Sequence, residues 1–203
     1  MRAVPPIGRG GSGEVSATMR AMQEGGAAID PSAPFTIHPF AAASYFLHAA
    51  VRVYTETWGR EWEPSHAFVS RYAGYPDFRG RVAVGDGAVV GMGFGARSEP
   101  GQWWHDKVAA RVGADHPALR DAWALVELAV LPAYRARGIG GALHDALLAA
   151  QPCPRALLST EATNTRARAL YERRGWRYLH PGFAFEEGQP PFLVMHREGI
   201  NNG

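Results

Sequence analysis

The sequence predicts one α/β domain built on a mixed sheet, and three observations carry that prediction. After residue 122 short apolar runs alternate with helical spacing, before that two helical stretches precede a hairpin, and the chain closes on two consecutive strands. Such an order places helices on the faces of a sheet with both parallel and antiparallel neighbours. The domain is assigned to residues 35–203, since no later linker or internal repeat divides them. Residues 1–34 are rich in Gly, Ala, Ser and Pro and read as a flexible leader.

Each element has a local reason. Within the leader, Gly8 to Gly13 matches G-x-G-x-x-G, but no strand precedes it. Ser16–Glu24 has weak helical character. Phe35 to His38 alternates as a first strand, and Ala41 to Trp58 carries Phe46, Ala50, Val53 and Tyr54 at helical spacing. Ser65 is placed as the cap of a second helix reaching Tyr72, before the Gly74-Tyr75-Pro76 loop. Val82-Ala83-Val84 and Val89–Gly95 flank Gly85-Asp86-Gly87, which signals a hairpin. Residues 102–118 form an excursion with a short helix holding Trp103, Trp104 and His105. Strand 122–131, helix 140–150, strand 156–160, helix 165–174 and strands 177–185 and 192–196 follow.

Composition narrows the function classes. The chain is 46% hydrophobic and 20% charged, the balance of a soluble globular protein. A net charge of +2 speaks against a dedicated nucleic-acid binder. No apolar run reaches the roughly 18 residues of a membrane span, and the N-terminus lacks a signal-peptide core. A cytoplasmic protein is the expectation, with no membrane partner. The single cysteine, Cys153, rules out an internal disulfide, and the eight histidines show no metal-ligand spacing. No metal is expected. A homodimer stays open.

The most informative stretch joins strand 122–131 to the next helix and reads Arg135-Ala136-Arg137-Gly138-Ile139-Gly140-Gly141. Glycines let a ligand approach the backbone closely. The first N–H groups of a helix have no internal partner and lie at its positive end. Together with two arginines this makes a site for a pyrophosphate. The P-loop Lys-Ser/Thr pair is missing, and residues 138–143 do not complete the Rossmann glycine pattern. A second constellation follows at Asn164, Ala167, Leu170, Tyr171, Gly175 and Trp176, with Ala167, Leu170 and Tyr171 on one helix face.

Arg-x-x-Gly-x-Gly followed by this Asn-Ala-Leu-Tyr-Gly-aromatic pattern resembles the GNAT N-acetyltransferases. The resemblance implies a central sheet whose two middle parallel strands splay apart, with acetyl-CoA bound in the gap. Ala129 and Val130 would then meet the pantetheine amides. The N–H groups from Arg137 through Gly138, Ile139 and Gly140 to Gly141 would hold the pyrophosphate, with Arg135 and Arg137 adding charge. Asn164 is read either as a cofactor ligand or as a plain helix cap.

The reaction implied is direct attack of an amine on the thioester. Tyr171 matches the family's acid for the leaving thiolate. Glu127, a charge inside an apolar strand, must face a cleft or a partner. It is the candidate base, against a structural ion pair. Glu56, Glu61, His105 and Asp106 are weaker candidates. Trp58, Trp103 and Trp104, with Tyr54 and Trp62, are candidates for the substrate wall or for core. The expected partner is a small-molecule primary amine. A protein Lys or N-terminal acetyltransferase and a non-catalytic CoA-binding domain are the alternatives.

Overall fold

A computed structural model describes residues 34–199. The leader and its Gly8–Gly13 and Ser16–Glu24 segments lie outside the described residues. Among the described residues seven strands form one sheet in the order β1-β2-β3-β4-β5-β7-β6. They are β1 (Phe35–Phe40), β2 (Arg79–Gly85), β3 (Ala88–Ser98), β4 (Ala122–Val130), β5 (Arg155–Glu161), β6 (Arg177–Phe183) and β7 (Phe192–Glu198). All neighbouring strands are antiparallel except β4 and β5, which run parallel. The five α-helices among the described residues are α1 (Phe46–Trp58), α2 (Trp62–Ala73), α3 (Trp103–Val112), α4 (Ile139–Ala150) and α5 (Thr165–Glu172).

Side-chain parity along the sheet sorts the helices. Val82, Met92, Phe94 and Ala129 meet α1 and α2 in one core, and Leu157 and Val194 meet α3 nearby on the same face. Trp123, Leu125, Leu158 and Met195 point the other way, onto α4 and Tyr171 of α5. Ile139 and Leu143 of α4 pack on Ala83 and Val90.

Helix starts differ from the sequence expectation at two places. α1 begins at Phe46, where Ser44 Oγ accepts from the Phe46 N–H at 3.2 Å, so residues 41–45 form a turn. α2 begins at Trp62 with Glu61 at its cap; Ser65 is inside it and donates back to the Glu61 carbonyl at 2.5 Å. Pro64 is tolerated because first-turn N–H groups lack helical partners. β3 runs on to Ser98 and β6 stops at Phe183.

Two irregularities open the sheet. β4 and β5 pair only at Ala122–Arg155, Trp123–Ala156 and Ala124–Leu157, and diverge afterwards. Just past that point Leu125 faces Gly95 and Glu127 faces Phe94, so Val126 is an extra residue, a bulge in β4.

Candidate active site

The parted strands leave backbone without a ladder partner. Leu131 N–H donates to the Val90 carbonyl of β3 at 2.9 Å, so alternation turns Val130 and Leu128 toward the gap. The Ala129 carbonyl lies against Gly91 on the β3 side. Of the two residues expected to meet a pantetheine, Val130 faces the gap and Ala129 faces β3. Leu128 takes the second gap position, which the sequence reading missed. The Leu128 N–H meanwhile donates to Glu127 Oε1 at 3.0 Å.

Beyond Val130 the chain makes a short turn at Pro132–Tyr134, then passes through left-handed Ala136 (φ 68°) and Gly138 (φ 80°) into α4. The first helical bond is Ala142 N–H to the Gly138 carbonyl at 3.0 Å, and no side chain caps the helix. The N–H groups of Ile139, Gly140 and Gly141 therefore lack intrahelical acceptors. At Gly138 no atom lies within 4 Å of where a Cβ would stand, so the turn faces open space. These donors and the helix dipole fit a pyrophosphate, and the Leu128 carbonyl and Val130 N–H, which face the gap beyond the end of the β4–β5 ladder, fit the amides of a pantetheine arm.

The arginines lie beside that turn. Arg135 Nε donates to the Val130 carbonyl at 3.0 Å. Arg137 donates to the Ala133 carbonyl at 3.2 Å, with its guanidinium 4.8 Å over the Tyr134 ring. Asn164 Oδ1 accepts from the Ala167 N–H at 3.1 Å, so it caps α5.

Glu127 and Tyr171 approach the gap from opposite faces. Glu127 stands opposite Phe94, on the α1–α2 face. Desolvation pushes its carboxyl up to about 7, and the Leu128 N–H, the Trp58 indole and the Arg60 charge offset part of that rise. Tyr171 is 7% exposed on the α4–α5 face. Burial first, and then the Glu127 charge, raise its pKa, so the phenol keeps its proton. A carboxylate titrating near neutrality can accept a proton from an amine, and a protonated phenol can donate one to sulfur.

Three of the candidate wall tryptophans separate. Trp58 ends α1 beside Glu127 and is 44% exposed. Trp104 lines a cleft at the apex of the gap with Tyr72, Gln102, Val126 and Ser159, and its indole donates to Ser159 Oγ at 3.0 Å. Trp103 packs against Phe185 at 5.6 Å, outside that lining. Helix phase explains the split, because adjacent residues on α3 point about 100° apart. Tyr72, Gln102 and Ser159 were not singled out in the sequence; a lone polar residue on a strand or helix carries no local signal.

The weaker base candidates are engaged elsewhere. Glu56 pairs with Arg52 at 2.8 Å, and Asp106 accepts from the Gly101 N–H at 3.0 Å. His105 is buried, hydrogen-bonded to Ser98 Oγ at 3.0 Å, and burial lowers its pKa. Glu61 is the exposed cap of α2. No group of three or more metal-ligating side chains occurs among the described residues, and none of their helices could cross a membrane.

Comparison with known proteins agrees with this fold. A GCN5-like protein acetyltransferase of Mycobacterium tuberculosis is 34% identical over 119 residues, which cover 54% of this chain and 58% of that protein. The chain thus matches little more than half the length of this curated relative. Among solved structures, aminoglycoside 6'-acetyltransferase type Ii superposes with a TM-score of 0.61 at 18% identity, over 83% of this chain and 99% of its own. The ribosomal-protein-S18-alanine N-acetyltransferase of Escherichia coli gives 0.60 at 18% identity, over 84% and 97%. These two likenesses concern the fold. The family model of the acetyltransferase (GNAT) family matches residues 45–176, a span that takes in both walls of the gap, the α4 turn and Tyr171, and the chain belongs to that family.

Proposed function

We propose that the protein is a cytoplasmic N-acetyltransferase that moves an acetyl group from acetyl-CoA to the primary amine of a small molecule. The observation that carries this reading is the pairing at the gap of a carboxyl with a pKa of about 7 and a buried, protonated phenol. Ile139, Gly140 and Gly141 would bind the pyrophosphate through their N–H groups. Leu128 and Val130 would bind the pantetheine amides. Acetyl-CoA supplies the activated thioester. Glu127 takes the proton of the attacking amine, and Tyr171 donates to the departing thiolate. Arg135, Arg137 and Asn164 act at the rim of the cofactor site.

The small-molecule reading rests on α3. This helix covers β5, β7 and β6 on the acceptor face, and Trp104 ties it to Ser159. Tyr72, Gln102 and Trp104 line a cleft at the apex of the gap, which favours a compact acceptor. An extended peptide would need the surface that α3 occupies. The test is thiol release from acetyl-CoA over a panel of small amines, lysine peptides and N-terminal peptides, with wild type and Trp104→Ala. Turnover of small amines only, with larger amines gained in Trp104→Ala, supports the reading. Preferential turnover of peptides would replace it with protein acetylation, the activity in the curated relative's name. Acetyl-CoA binding without turnover of any acceptor would leave a CoA-binding domain.

A further inference from the structure

Arg174 and Trp176 lie just past the end of α5, and both reach back to α4. Arg174 donates from Nε at 2.7 Å and from Nη2 at 3.0 Å to the two carboxylate oxygens of Asp145. The Trp176 indole N–H donates to His144 Nε2 at 2.8 Å. His144 Nδ1 lies 2.7 Å from Asp145 Oδ1. Because Nε2 accepts, the neutral ring carries its proton on Nδ1 and donates it to Asp145. Both ring nitrogens of a fully buried histidine are thereby used.

This network encloses Tyr171. The rings of His144, Tyr171 and Trp176 form a triangle with centroids 6.0, 5.9 and 6.0 Å apart. The Tyr171 carbonyl accepts from the N–H groups of Arg174 at 2.9 Å and Trp176 at 3.2 Å. Gly175, with φ +79°, makes the reversal between them. The Tyr171 hydroxyl has no hydrogen-bond partner among the described residues, so the packing of its ring sets its aim. At the other end, the Arg174 guanidinium lies over Gly141, where any Cβ would strike it. A phenylalanine at 144 would fill the same space without desolvating polar atoms. A fully satisfied polar network fixes one geometry where apolar contacts allow several.

We propose that His144 and Trp176, braced by the Asp145–Arg174 pair, are positioning residues that hold the Tyr171 hydroxyl at the gap and tie it to the phosphate-binding turn of α4. The inference rests on Tyr171 being the proton donor. Both act through the Tyr171 ring that they touch.

The test measures thiol release from acetyl-CoA with hydroxylamine, a small amine that is largely unprotonated at neutral pH. His144→Phe should lower kcat about 10- to 100-fold, as for a misplaced catalytic group, while the KM for acetyl-CoA stays within about twofold. His144→Gln keeps an acceptor for Trp176 and should restore most of the rate. His144→Phe combined with Tyr171→Phe should be no slower than Tyr171→Phe alone. A double variant slowed by the full factor of the single would overturn the inference and leave the role of Tyr171 standing. Wild-type turnover by Tyr171→Phe would overturn both. Tyrosinate absorbance gives a readout without turnover, taken as the difference from Tyr171→Phe. In Trp176→Phe, which removes the indole donor and part of the ring's volume, the Tyr171 phenol should ionise at lower pH as water enters. An unchanged titration there would overturn the inference.

Discussion

The Glu127 charge helps keep the Tyr171 phenol protonated across the gap between β4 and β5, second only to burial. The two groups sit on opposite faces of the sheet, and under the proposed function a substrate entering between them would meet a base on one side and an acid on the other.

That relationship sets the pH dependence. With Glu127 titrating at about 7, kcat/KM should rise through that pH and then level off. Glu127→Gln should lose activity most near neutrality and regain it as pH rises, because more acceptor is then already deprotonated. Tyr171→Phe should lose about 100-fold or more at every pH where the wild type works, the scale of a positioned acid. A Glu127→Gln profile merely scaled down at all pH values would remove Glu127 from the role of base.

The same carboxyl costs stability. Its folded pKa lies above the ordinary 4.5, so between those values the unfolded chain loses a proton that the folded chain keeps. The unfolded state is then favoured progressively as pH rises from about 4.5 through about 7. Glu127→Gln removes this penalty. It should be nearly neutral at pH 4 and stabilising by up to about 3 kcal/mol at pH 8. Urea midpoints at the two pH values check it; an equal effect at both would show that desolvation of the charge is not the cause.

Gly138→Asp probes the phosphate turn. No atom crowds a Cβ there, and Asp is among the residues that accept a left-handed φ, so the unliganded protein should fold. Its negative charge would face the pyrophosphate. Acetyl-CoA at about 100 times its dissociation constant should stabilise wild type by roughly 2.7 kcal/mol and the variant by almost nothing. Equal thermal shifts in both proteins would move the phosphate site elsewhere.

Gly95→Ala probes the bulge. A Cβ at Gly95 would collide with the Ala124 carbonyl and the Trp123 ring, both rigid and buried. The loss should be about 3 kcal/mol or more, the upper range for overpacking. Gly140→Ala, whose Cβ would have its nearest neighbour, Val130, at 3.9 Å, is the control and should fold like wild type. Equal denaturation midpoints for the two variants would refute the collision.

Local chemistry made the strand–turn–helix from Ala122 to Ala150 legible: an apolar run, glycines at the turn, helical spacing afterwards. The helix bearing Tyr171 was legible for the same reason. The start of α1 was not, because residues 41–45 are mostly small and suit helix or turn equally. Parity decided which backbone faced the gap, and the Val126 bulge resets parity without a sequence mark. His144 looked like any histidine on an amphipathic helix. The return of Trp176, 32 residues later, gives its Nε2 a partner.

Val126 has a longer consequence. Side-chain exchanges along β4 can change what the cleft holds, yet they leave that extra residue in place. The offset against β3 is a property of residue number. Substitution can therefore reshape the wall while the offset persists, and a single-residue deletion in β4 is the change that would restore an even register with β3.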